Sequence, residues 1–148
     1  MSKLYDFLHP VAAQEEKDVV VSRRFIQRDE QGNPILDAQG NAIPRPFKIR
    51  AMTQAENDAI TRQSRKTRKV NGQVQEYLDS TEFSQRMVVA ATVDPDFSNT
   101  EMCQAFGVLD PLLVPGKMLL GGEFARLLSA ITELSGFNDN FVEDEAKN

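Results

Sequence analysis

The sequence predicts an α+β, helix-dominated protein: an N-terminal β-hairpin, then about four helices and an acidic C-terminal tail. Three observations carry this. β-Branched and aromatic residues gather at 18–26, and apolar residues alternate with cations at 46–52. Capping signatures of the Thr-x-x-Glu kind then open helical stretches. Finally, an amphipathic stripe of period 3.6 dominates residues 121–135. The expected organisation is a docking segment at 1–16, one globular domain at 17–137 and a flexible acidic tail at 138–148. Within the domain the hairpin spans about 18–52 and the helical part about 53–137.

The docking segment sets the apolar anchors Leu4, Phe7 and Leu8 before a break at Pro10. Residues 18–26 read as one strand. Residues 46–52 read as its half-buried partner, with Phe47, Ile49 and Ala51 alternating against Lys48 and Arg50. Between them Asp29-x-Gln31-Gly32-Asn33 is echoed eight residues later by Asp37-x-Gln39-Gly40-Asn41. Gly-Asn supplies the positive dihedrals of tight turns. The alternating carboxylates of a calcium loop are missing, so consecutive turns in an extended hairpin arm are expected.

Thr53 and Glu56 form a capping box that opens a helix expected to reach about Lys69 and to end at Asn71-Gly72. Its last turns carry Arg62, Arg65, Lys66, Arg68 and Lys69, where the helix dipole favours cations. A second helix starts at Asp79, with Glu82 three residues on, and stops before Pro95. Ser98-x-x-Glu101 is a further capping box for a short helix ending at Gly107. Pro111, Pro115 and Gly116 punctuate a turn-rich apolar stretch. In the last helix Phe124, Leu127, Leu128, Ile131 and Leu134 share one face, and Gly136 stands where a C-terminal cap belongs.

With 41% hydrophobic and 26% charged residues in 148, the composition is that of one folded domain. No apolar run approaches the roughly 20 residues that a bilayer requires, and the first residues lack the pattern of a signal peptide. The lone Cys103 cannot form an internal disulfide, which fits a reducing compartment. A cytoplasmic protein is expected, without a membrane partner. The net charge of −5 hides an asymmetry: residues 1–74 hold 13 Lys/Arg against 9 Asp/Glu, and residues 75–148 hold 4 against 13. Such a dipolar chain can orient partners or copies of itself.

Groups suited to catalysis are sparse. The single histidine, His9, precedes Pro10 in a peripheral segment, and Cys103 has neither a second cysteine nor a local histidine pattern. Asp94 and Asp96 flank Pro95 as solvated acids at a helix stop. Gly121-Gly122 lacks the frame of a phosphate loop. No enzyme, metal or cofactor is expected. The cluster from Arg62 to Lys69 is the best case for nucleic acid, but it has no interleaved aromatic for base stacking and the pI is about 4.9. An acidic partner protein satisfies the same charges.

Several ordered segments resemble the XkdN-like phage tail assembly chaperones. They are Val20-Val21-Ser22 with Arg24-Phe25, then Phe47-Lys48-Ile49-Arg50 with Met52-Thr53 and Glu56-Asn57. Farther on come Met118-Leu119-Leu120, Gly122-Glu123-Phe124-Ala125 and Leu127-Leu128, with Ser135-Gly136-Phe137 and residues 145–148 closing the set. The resemblance spans about residues 17–148. It departs at Gly121, where the family pattern favours proline, and in the doubled turn.

The resemblance implies a phage- or prophage-encoded, non-catalytic helper that binds the tape-measure protein so that tail tube subunits polymerise around it. It would act in the bacterial cytoplasm and be absent from the mature virion. The tail tube protein, self-association and pairing with a longer frameshifted form are further expectations. In the frameshift case Ala146-Lys147-Asn148 is the peptide of a slippery A-AAA-AAC heptamer, which an AAG codon for Lys147 would refute. The contacts expected to serve the partner are Leu4, Phe7, Leu8, Phe137, Phe141 and Val142. A structural tail or baseplate component is the alternative, and a nucleic-acid-binding regulator comes third.

Overall fold

The computed structural model describes residues 3–11 and 15–137; Phe141, Val142 and the rest of the acidic tail lie outside them. After an exposed first helix, α1 (Lys3–Leu8), strand β1 (Glu16–Val19) pairs antiparallel with β2 (Phe47–Arg50), Glu16 facing Arg50 and Val19 facing Phe47. A short β5 (Thr92–Asp94) adds to the other edge of β2. The alternation in β2 is as read: Phe47 and Ile49 are buried while Lys48 is exposed.

The first strand is shorter than the 18–26 expected. Past Val19 the backbone leaves the ladder to serve side chains. The Val21 carbonyl accepts from Arg126 Nε at 3.1 Å, and Ser22 Oγ accepts from the Arg24 amide at 3.0 Å. Backbone groups need partners but not necessarily strand partners.

The doubled turn also differs from an extended arm. Gln27 N donates to Ile43 O, Ile35 N to Gln27 O, and Ile43 N to Ile35 O, at 2.8, 2.9 and 3.0 Å, closing a three-membered ring. The period of eight residues places 27, 35 and 43 equivalently. Within each repeat an aspartate gathers the loop: Asp29 Oδ1 accepts from Gln31 N and Asn33 N, and Asp37 Oδ1 from Gln39 N and Asn41 N. Gly32 and Gly40 take φ of +84° and +83°.

Helix α2 (Gln54–Gln63) opens on the predicted capping box at Thr53. It does not reach Lys69. At Ser64, fully buried, the amide and hydroxyl both donate to the Ile60 carbonyl, and the Ser64 carbonyl accepts from Asp79 N at 2.8 Å. Between those two residues stands a β-hairpin, β3 (Arg65–Val70) and β4 (Gln73–Leu78), in unbroken register from Arg65↔Leu78 to Val70↔Gln73. Asn71 and Gly72, at φ +53° and +78°, form its two-residue turn. Asn-Gly ends a helix and turns a hairpin with equal ease. What decides is that Val70, Val74 and Tyr77 favour strand and that six residues beyond the turn match six before it.

Helix α3 (Ser80–Ala91) starts at Asp79 as expected, its carboxylate accepting from Glu82 N. Helix α4 (Thr100–Ala105) is capped by Asn99 rather than Ser98, because the Asn99 side chain accepts from both Glu101 N and Met102 N. A 3-10 turn (Pro111–Leu113) leads through α5 (Val114–Met118) into α6 (Gly121–Leu134). On α6 Leu127 and Ile131 are fully buried, and Phe124, Leu128 and Leu134 flank them. These pack with Met87, Val88 and Ala91 of α3 against Phe47 and Ile49 of the sheet. Gly136, φ +88°, closes α6: its amide donates to Glu133 O and that of Phe137 to Thr132 O, the paired bonds of a Schellman cap.

Candidate partner-binding surfaces

Two glutamates sit three residues inside their helices, and each is clamped by an arginine from outside. Glu56 on α2 accepts from the Thr53 amide at 3.0 Å and takes both Nη atoms of Arg50, from the end of β2. Glu123 on α6 accepts from the Leu120 amide at 2.8 Å and from Nε and Nη2 of Arg24, which lies 99 residues away. The remaining reach of Arg24 Nη2 is to the Met118 carbonyl, at 3.1 Å. Such two-pronged pairs are the strong form of charge-assisted bonding. The Arg50 bonds, then the Thr53 amide, hold Glu56 down at about 2; the Arg24 bonds, then Ser22, hold Glu123 down at about 2. The arginines are pushed up by the same contacts.

These clamps use the ordered segments of the sequence. Arg24, Arg50, Thr53, Glu56, Met118 and Glu123 all belong to them, and Met52 N adds a bond to Ser135 Oγ at 3.0 Å. The segments meet as framework, joining β2 to α2 and the stretch after β1 to α6. Gly121 occupies the first position of α6, preceded by an extended Leu120 at φ −70° and ψ 157°. Proline fits that position as well as glycine.

Groups with chemical potential have structural employment. Cys103 is buried, its Sγ 3.8 Å from the Phe97 carbonyl. His9 stacks on Tyr5 with ring centroids 3.9 Å apart, on an exposed segment. Asp94 pairs with Arg45 at 3.0 Å, and Asp96 accepts from the Ser98 amide. Among the described residues no cluster of His, Cys, Asp and Glu could hold a metal ion. No helix among them is long and apolar enough to cross a membrane. A groove of about 510 Å³ between α3, α5 and α6 is lined by hydroxyls, Gln85, two glycines, Leu119 and Phe124, without a titratable side chain.

The surfaces open to a partner lie elsewhere. Leu4, Phe7 and Leu8 are 62%, 82% and 63% exposed and, at i, i+3 and i+4, share one face of α1. Phe137 is 50% exposed beside the cap of α6. The cations expected on one helix end are redistributed. Arg62 stays on α2, while Arg65, Lys66, Arg68 and Lys69 run along β3. The pairing also sets Tyr77 in their midst, the Arg68 guanidinium lying 4.7 Å from its ring centroid. The cluster therefore does contain an aromatic, which the linear reading missed because it comes from the opposite strand. Val74 and Leu78, exposed on β4, were missed with it; the mirrored residues around Asn71-Gly72 were the signal.

Taken together, this is a small α+β protein in which two arginine–glutamate clamps hold the scaffold while apolar and basic side chains stand exposed. The phage XkdN-like tail assembly chaperone family model matches residues 4–147, and the chain belongs to that family. It is 32% identical to the phage-like element PBSX protein XkdN of Bacillus subtilis (strain 168) over 138 residues, 90% of this chain and 85% of that one. It is 34% identical to the protein YqbN of the same organism, over 99% of this chain and 95% of that one. A crystal structure of YqbN superposes with a TM-score of 0.64 at 29% identity, covering 90% of this chain and 96% of the other.

Proposed function

We propose that this protein binds the tape-measure protein of a phage or prophage tail, keeps it soluble while tube subunits polymerise around it, and leaves before the virion is finished. It works without catalysis, in the cytoplasm of the bacterial host. The observation that carries this reading is the family match over nearly the whole chain. The disposition of the residues supports it, since the arginine–glutamate clamps act as framework and exposed apolar groups remain for a partner. A helper of a long helical protein needs a reversible apolar surface, with charge to keep the complex soluble. Leu4, Phe7, Leu8 and Phe137, with Phe141 and Val142 of the acidic segment, are the contacts we assign to it.

The test is co-expression with the tape-measure product of the same tail module, followed by affinity capture. The two chains should co-purify, and mass spectrometry of purified virions should detect the tape-measure protein without this one. Presence in virions at stoichiometric level would mean a structural tail or baseplate component. Truncation to locate the binding face must be made after Phe137, because a cut after Ser135 removes both amides of the α6 cap.

A further inference from the structure

The hairpin of β3 and β4 holds four cations against one carboxylate, on a protein of net charge −5. Its two faces are not equivalent. On one, Lys66 is paired to Glu82 at 3.0 Å and Arg68 covers Tyr77. On the other, the register aligns Arg65 with Leu78, Thr67 with Glu76 and Lys69 with Val74, so each flanking cation stands beside an exposed apolar side chain. Among the described residues Arg62, Arg65, Arg68 and Lys69 make no salt bridge. Cations set beside apolar groups on a sheet face suit an extended peptide whose acids alternate with an apolar residue on one side.

One segment of this chain has that composition. Residues 139–145 read Asp-Asn-Phe-Val-Glu-Asp-Glu: four acids, no cation, and Phe141-Val142 between them. The fold also brings the segment within reach. The bond from Met52 N to Ser135 Oγ fastens the end of α6 to the start of α2, and the hairpin leaves the far end of α2 at Ser64. A helix of 10 residues spans about 15 Å. Phe141, four residues beyond Phe137, is reached by about 13 Å of extended chain, which suits the base of the hairpin at Arg65 and Leu78, and Glu145 by about 26 Å, which suits Lys69.

We infer that the outward face of the β3–β4 hairpin is a docking site for the acidic segment 139–145 of the same chain. In an extended segment Asp139, Phe141, Glu143 and Glu145 share one side; Arg65 and Lys69 receive the carboxylates and Leu78, beside Arg65, receives Phe141. Exposed ion pairs are individually weak, and the tether compensates by holding the segment at an effective concentration of order mM. The contact covers the cations and Leu78 together until a partner takes them. It stands independently of the tape-measure reading.

Paramagnetic relaxation on the full-length protein tests this. A nitroxide is attached to an Ala146→Cys variant, with the buried Cys103 left in place and the reagent-treated parent chain as blank. Amides of residues 65–78 should lose intensity. The loss should be unchanged on dilution and should vanish in an Arg65→Glu/Lys69→Glu variant. It should also fade near 1 M salt, where the Debye length is about 3 Å. Hairpin amides as intense as in the charge-reversed variant would overturn the inference. So would a loss of equal size when the nitroxide is carried only by other, isotopically silent molecules, because that would place the contact between copies.

Discussion

Arginines and lysines in the first half of this chain are put to two opposite uses. Arg24 and Arg50 are consumed: each grips a helix-starting glutamate and joins pieces of chain that would otherwise only touch. Arg65, Arg68 and Lys69 are displayed on a two-stranded hairpin whose main contacts are within itself. The difference teaches where to look for function. Charge spent on a carboxylate inside the fold sets architecture, and charge left on a hairpin, like the apolar face of α1, stays at the surface where function is to be sought.

The framework is where a substitution should cost most. Phe47 and Ile131 join the sheet to α6 in one core. Phe47→Ala should cost about 3–5 kcal/mol, seen as a large fall in the thermal midpoint, whereas a change in the hairpin should not approach this.

The clamps themselves respond to acid. Glu56 and Glu123 stand at about 2 in the folded protein against an ordinary value of 4.5. A carboxylate with a depressed folded value contributes stability that is fully present above the unfolded value and lost as pH falls through the folded one. Stability measured by denaturant melts should therefore be level above about pH 4.5 and decline toward pH 2. Glu56→Gln can keep the bond to the Thr53 amide but removes the negative charge that faces Arg50 and one of its two acceptor oxygens. It should flatten part of that decline and leave the neutral-pH fold intact.

Helices whose signals are local were legible in the sequence. The stripe on α6 and its capping glycine are all within sixteen residues, and the Thr53–Glu56 box within four. The hairpin was not, because its cations satisfy a helix dipole on paper as readily as a strand, and only pairing across the turn separates the two. The clamp between Arg24 and Glu123 could not be derived locally at all. Its one trace was that both residues fall in the segments that carry the resemblance to the family, which does not show that they touch. The ring of turns at 27, 35 and 43 was half legible: the repeat was plain, the closure was not, since closure depends on three backbone bonds between distant residues.

Smaller effects sharpen the account. Gly121→Pro should stabilise by about 0.4–1 kcal/mol through the unfolded chain, since Leu120 is already extended and no heavy atom outside the local backbone lies within 4 Å of a Cβ built at Gly121. A loss of stability there would mean that α6 starts differently. Smallest of all, Arg65→Glu/Lys69→Glu should change stability by less than about 0.5 kcal/mol, measured by the same melts.

The most direct test of the central claim is capture of the tape-measure protein by the full chain and by a chain truncated after Phe137, both checked for a cooperative melt. The truncated chain should melt like the full one and retain less tape-measure protein, because the cap of α6 is kept while Phe141 and Val142 are gone. Equal capture by the two chains, each fully folded, would contradict it.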